Sequence, residues 1–108
     1  MTDLLPPTTP GEILAEEFLA PLCISQYKLA RDIGVPRSRI AEIVAGTRAV
    51  SADTALRLAR YFGLRDQYWL DAQAHHDLQV ARDALSEGAL AAIVPVQRDA
   101  GGGVAIRE

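Results

Sequence analysis

A chain of 108 residues with 49% hydrophobic content has enough apolar surface for one core and too little for two. Its formal net charge of −3 argues at first against a polyanionic partner, and no run of about 18 apolar residues is present to span a bilayer. The single cysteine, Cys23, excludes an internal disulfide, and neither CxxC nor a Cys/His spacing suited to zinc occurs, so no metal or other cofactor is expected.

The start, MTDLLPPTTPG, lacks the basic flank and long apolar stretch of a signal peptide, and a reducing cytosol is the expected compartment. The distribution of charge changes the picture given by its total. Residues 1–24 carry four acids and no base, residues 25–60 seven bases and three acids, and residues 61–108 four bases and seven acids. A contact with nucleic acid is therefore to be sought in the middle third.

In chain order, Thr9-Pro10-Gly11-Glu12 reads as a capping box with proline at the first helical position, opening a helix over about 10–20 that Pro21 should end. Ser25 can cap a second helix, about 26–33, with Ile24 stapled onto Leu29. Gly34 then supplies a left-handed turn, Val35 points inward, and Pro36 has the φ of a first helical residue for a third helix over about 36–45. Ser51 caps a fourth helix, about 52–62, expected to put Ala55, Leu56, Ala59 and Phe62 on one face and to stop at Gly63. Asp66 can open a fifth helix towards Leu85, with Trp69 as a core anchor and only a thin apolar stripe at Leu78, Ala81 and Leu85. Ala89 to Val96 reads as a short strand or extended segment, and residues 97–108, with Gly101-Gly102-Gly103, as a disordered tail. The expected fold is all-α: a five-helix helix-turn-helix domain over 1–96 with a short extended C-terminal tail.

The order Leu29, Ala30, Ile33, Gly34, Val35, Ile40, Ile43 carries the function. Two helices joined by three or four residues cross steeply only if the contact point is small, as Ala30 is, the turn tolerates positive φ, as Gly34 does, and Val35, Ile40 and Ile43 fill the angle. That is helix-turn-helix geometry, and it predicts binding of double-stranded DNA. Held proud of the core, the third helix shows Arg37, Ser38 and Glu42 to a major groove. Arg37 is suited to guanine O6 and N7, Ser38 to several bases, and Glu42 either to cytosine or to holding a neighbouring arginine. Gln26, Lys28, Arg39, Thr47 and Arg48 are the expected phosphate contacts. Taken singly, each arginine reads as an ordinary solvated charge; the apolar pattern and the local excess of bases make them an interface.

No paired carboxylates, nucleophile-base pair or phosphate loop supports an enzyme. His75-His76-Asp77 does not make a metal site, because adjacent helical residues point about 100° apart, and surface or dimer-contact histidines are expected. Cys23 reads as an inert, buried or half-buried thiol.

The segments PGEILAEEFLAPLCISQYKLARDIGV, RIAEIVAGTRAVSADTALRLARYFG and WLDAQ, spanning about 5–78, resemble the HigA-type antitoxins of the phage-repressor-like helix-turn-helix family. The resemblance implies a non-catalytic antitoxin that represses its own operon and neutralises a HigB-like toxin, a ribosome-dependent mRNA endonuclease. Thr8-Thr9 stands where an apolar-His pair is common in that family, and the HHDLQ run is more polar than usual. A stand-alone transcription regulator would use the same DNA-reading residues without a toxin partner. In either case one recognition helix covers few base pairs, so a homodimer is expected on a palindrome. Leu78, Ala81, Leu85, Ile93 and Val94 are its candidate interface, since a four-helix core does not need them.

Overall fold

The computed structural model describes residues 8–97. Thr9 opens the first helix as expected: its hydroxyl accepts from the Glu12 amide at 3.1 Å, and its own amide donates to the Glu12 carboxylate at 3.0 Å. The helical segment called α1 here then runs through an α turn at Pro10–Ile13, a π segment at Leu14–Leu19 and a last α turn at Ala20–Leu22.

It does not stop before Pro21. In the π segment the Ala20 amide bonds the Ala15 carbonyl, five residues back, and the wider turn makes room for a ring that a regular helix would drive into the preceding carbonyl. Cys23, in the left-handed region at φ 56°, ends α1. Its thiol is exposed, not buried or half-buried, because the turn from Ala20 to Cys23 has run beyond the core.

Helix α2 is Gln26–Ile33, capped by the Ser25 hydroxyl, which accepts from the Lys28 amide at 3.0 Å. Gly34, at φ 75°, turns the chain, and α3 follows at Arg37–Ala45. Pro36 is the residue before the helix rather than its first: proline fixes φ, here −62°, but leaves ψ free to be extended at 142°. Ala30, Val35, Ile40 and Ile43 are buried at the crossing of α2 and α3, as the helix-turn-helix pattern requires.

Helix α4, Ala52–Phe62, is capped by Ser51 and buries Thr54, Ala55, Leu58 and Ala59. Leu56 is not on that face. It lies about 100° round the helix from Ala55, is 51% exposed, and Leu58 fills the core in its place. Helix α5, Tyr68–Ala84, starts two residues after Asp66 and buries Trp69 completely. Trp69 meets Phe18 at 5.3 Å between ring centroids, and Phe18 meets Phe62 at 4.8 Å, so α1, α4 and α5 close on one aromatic cluster.

The segment expected to be a short strand or extended over 89–96 instead begins in a sixth helix, α6, at Glu87–Ala91. The Ser86 hydroxyl accepts from the Ala89 amide at 3.0 Å, Glu87 suits the helix start, and the alanines favour a helix over a strand. Val94 to Gln97 form no regular element, and no strand occurs among the described residues. The glycine run of the expected tail lies outside the described residues. The fold is all-α, and no helix of the described residues is long and apolar enough to cross a membrane.

Candidate nucleic-acid interface

The face built by α2, the turn and α3 is held from behind by close backbone packing. At Gly11, a methyl group would fall inside contact distance of the Ile43 carbonyl oxygen, so only glycine lets α1 lie this close to α3. The Arg57 guanidinium of α4 donates to the Ile33 carbonyl at 2.7 Å, closing the C-terminal end of α2 just before the turn. Asp53 lies 3.1 Å from Arg57 and 3.5 Å from Arg39, tying α4 to α3 through one carboxylate.

On this frame Arg37 and Ser38, at the start of α3, are exposed. Glu42, one turn on, holds Arg48: the Arg48 Nε donates to its carboxylate at 2.6 Å. Of the two roles open to Glu42 in the sequence, the free protein adopts the second. The Thr47 amide and hydroxyl donate to the Glu42 carbonyl at 2.9 and 3.3 Å, so the loop after α3 is fastened to its last turns. Gln26 is half-buried at the start of α2, and Arg39 is half-buried beside Asp53.

Lys28 is tied down too. Its ammonium lies 2.8 Å from Asp32, which also accepts from the Tyr61 hydroxyl at 2.6 Å. The hydrogen bond from Lys28, helped by the one from Tyr61, holds the Asp32 carboxyl below its ordinary range. The same bonds push Lys28 and Tyr61 above theirs. The cluster carries a lasting charge pattern at neutral pH but leaves Lys28 less free than a bare surface lysine.

Leu78, Ala81, Leu85, Ile93 and Val94 stand apart from this constellation. They lie on α5 and beyond it, all exposed, and none belongs to the core cluster.

Residues 19–69 match the helix-turn-helix family model. The chain is 45% identical over 96 residues to virulence-associated protein I of Dichelobacter nodosus, covering 89% of this chain and 87% of that protein. It is 34% identical over 83 residues to antitoxin HigA-1 of Vibrio cholerae, covering 77% and 78%. Among solved structures it is similar to the Pseudomonas aeruginosa antitoxin HigA with the higBA promoter, at 38% identity and a TM-score of 0.78, covering 84% of this chain and 99% of that one. The chain belongs to the HigA-type branch of the phage-repressor-like helix-turn-helix family.

In this HigA-type chain, two parts of the face escaped the sequence reading. Asp53 was not counted in it; its spacing to Arg57, four residues on, was the available signal for an ion pair, but the reach to Arg39 needed the fold. Tyr27 was passed over. It lies on the first turn of α2, with the Arg31 and Arg37 guanidinium carbons 5.7 and 5.8 Å from its ring centroid.

Proposed function

We propose that this chain is the antitoxin of a type II toxin–antitoxin pair, acting in the cytosol. As a homodimer it binds double-stranded operator DNA, represses its own operon and neutralises a HigB/RelE-like mRNA endonuclease. The observation that carries the reading is the presentation of Arg37 and Ser38 at the exposed start of α3, on the segment richest in bases. The Pseudomonas relative bound to promoter DNA supports the DNA half, and the antitoxin relatives support the toxin half.

In this reading Arg37 and Ser38 contact base edges, and Glu42 either joins them or keeps Arg48 aimed at the backbone. Gln26, Lys28, Arg39, Thr47 and Arg48 meet phosphates and set register without reading sequence. For Lys28 and Arg48 this entails exchanging a carboxylate partner for a phosphate. Two copies place their α3 helices about 34–36 Å apart on successive major grooves. Leu78, Ala81, Leu85, Ile93 and Val94 are the apolar surface through which the copies associate.

The test is recovery of the tagged protein from its native cytosol, with bound protein and bound DNA both sequenced. A small RelE-like protein together with a palindrome from the chain's own promoter is the expected result. Scattered promoters without a protein partner would instead make it a stand-alone regulator, and no DNA at all would overturn the reading.

A further inference from the structure

Tyr27 is 56% exposed and takes no part in the core cluster, yet it is the one large aromatic ring on α2. Its ring lies within cation–π range of Arg31, one turn further along α2, and of Arg37, the first residue of α3. The second contact joins the two helices of the motif on their exposed side. Lys28, Arg31, Arg39, Arg48, Arg57 and Arg65 each lie within 4.0 Å of a carboxylate. Arg37 has no such partner among the described residues.

That difference matters for a side chain meant to read a base. A carboxylate fixes a guanidinium by occupying the N–H edge that guanine O6 and N7 require. An aromatic ring attracts the cation through its π electrons and makes no claim on that edge. An unheld arginine would have to lose its rotamer freedom at the moment of binding, whereas one already resting on a ring has lost part of it in the free protein.

We propose that Tyr27 is a positioning residue for base readout: its ring holds Arg37 at the start of α3 with the donors free, and so contributes to specificity without touching a base. This rests on the DNA-binding reading above. Tyr27 is exposed, so Tyr27→Leu and Tyr27→Phe should both fold, which thermal melts will verify.

Two measurements test the proposal. In the free protein, the Arg37 side-chain NMR resonances should be ring-current shifted in the wild type and in Tyr27→Phe, and unshifted in Tyr27→Leu. On an operator library with each base pair varied in turn, Tyr27→Leu should lose about two- to five-fold in discrimination at the position where Arg37→Ala loses it, with the other positions unchanged. Tyr27→Phe should read like the wild type. A uniform loss at all positions in Tyr27→Leu would overturn the proposal, and an equal loss in Tyr27→Phe would overturn it and make Tyr27 a contact through its hydroxyl. Normal operator binding with unshifted Arg37 resonances overturns it as well while leaving the DNA reading intact. A wild-type protein that shows the shift but binds no operator overturns both.

Discussion

The body of the molecule and its C-terminal arm use apolar residues in opposite ways. Among the described residues, all the buried hydrophobic ones lie between Leu14 and Trp69, where α1 to α4 and the first turn of α5 close over one another. From Ala81 to Gln97 every residue is exposed, although Leu85, Leu90, Ile93, Val94 and Val96 lie within that stretch, with Ile93 66% and Val94 83% exposed. The body completes its own core. The arm carries apolar side chains that the described residues do not cover, and such a surface is normally met by another molecule.

Replacing a buried anchor and an arm residue should therefore separate the two regions most sharply. Trp69→Ala should destabilise the fold by about 3–5 kcal/mol in urea denaturation, because it opens a large cavity in the aromatic cluster. Leu85→Ser should change the stability of the unassociated chain by no more than about 0.5 kcal/mol, yet abolish self-association in sedimentation. A chain shortened after Gln73 should stay folded and become monomeric; if it remained a dimer, the arm would not be the interface.

Within the body, the next contrast is between reading and holding DNA. Arg37→Ala should cost about 1–3 kcal/mol at one base position, whereas Arg48→Ala should weaken all sequences alike and reduce the salt slope by about one. Equal patterns from both would merge the two roles. Asp53→Asn removes the carboxylate shared by Arg39 and Arg57, and at this exposed site a stability loss of about 0.2–1 kcal/mol per pair is expected in thermal or chemical denaturation.

The smallest effect concerns Asp32. Its carboxyl titrates below its ordinary range in the folded state, so its contribution to stability is present above the unfolded carboxylate pKa, about 3.9, and disappears as pH falls through the lower folded value. Asp32→Asn should accordingly be less stable than the wild type at neutral pH, with the gap closing in acid. A gap that stayed constant down to low pH would show that the Lys28–Asp32–Tyr61 contacts do not act through the carboxylate charge.

Most of the body was legible in the sequence. The Thr9 capping box, the Ser25 and Ser51 caps and the left-handed Gly34 are local devices whose partners lie within a few residues, and each forms as read. The errors fall where a local rule met a longer-range one. Pro21 was taken as a helix end because a regular turn cannot hold it, but the π segment before it can. Leu56 was assigned inward by apolarity, while the helical period puts Leu58 there. In the segment after Leu85 the apolar, β-branched end drew the reading to a strand or extended segment, although Ser86 and the alanines that follow it suit a helix.

The candidate interface divides in the same way. The exposure of Arg37 and Ser38 at the start of α3 was legible from their position relative to Gly34, which depends only on spacing along two short helices. The pairing of Glu42 with Arg48 was one of two options, since six residues apart across a loop they meet only once Gly46 has turned the chain. Tyr27 beside Arg37, and Asp53 between Arg39 and Arg57, join residues on different helices, and no periodicity encodes such contacts.

By itself, then, the sequence determined which segments become helices in the body, where those capped by Thr9, Ser25 and Ser51 begin, and that two of them cross as a helix-turn-helix, because caps, turns and apolar spacing act over a few residues. Only the tertiary structure decided which charges of the exposed face are paired, that a glycine at position 11 brings α1 against the carbonyl of Ile43, and that the apolar residues of the arm stay uncovered. Those outcomes depend on distances between helices, which are set by how the whole core packs.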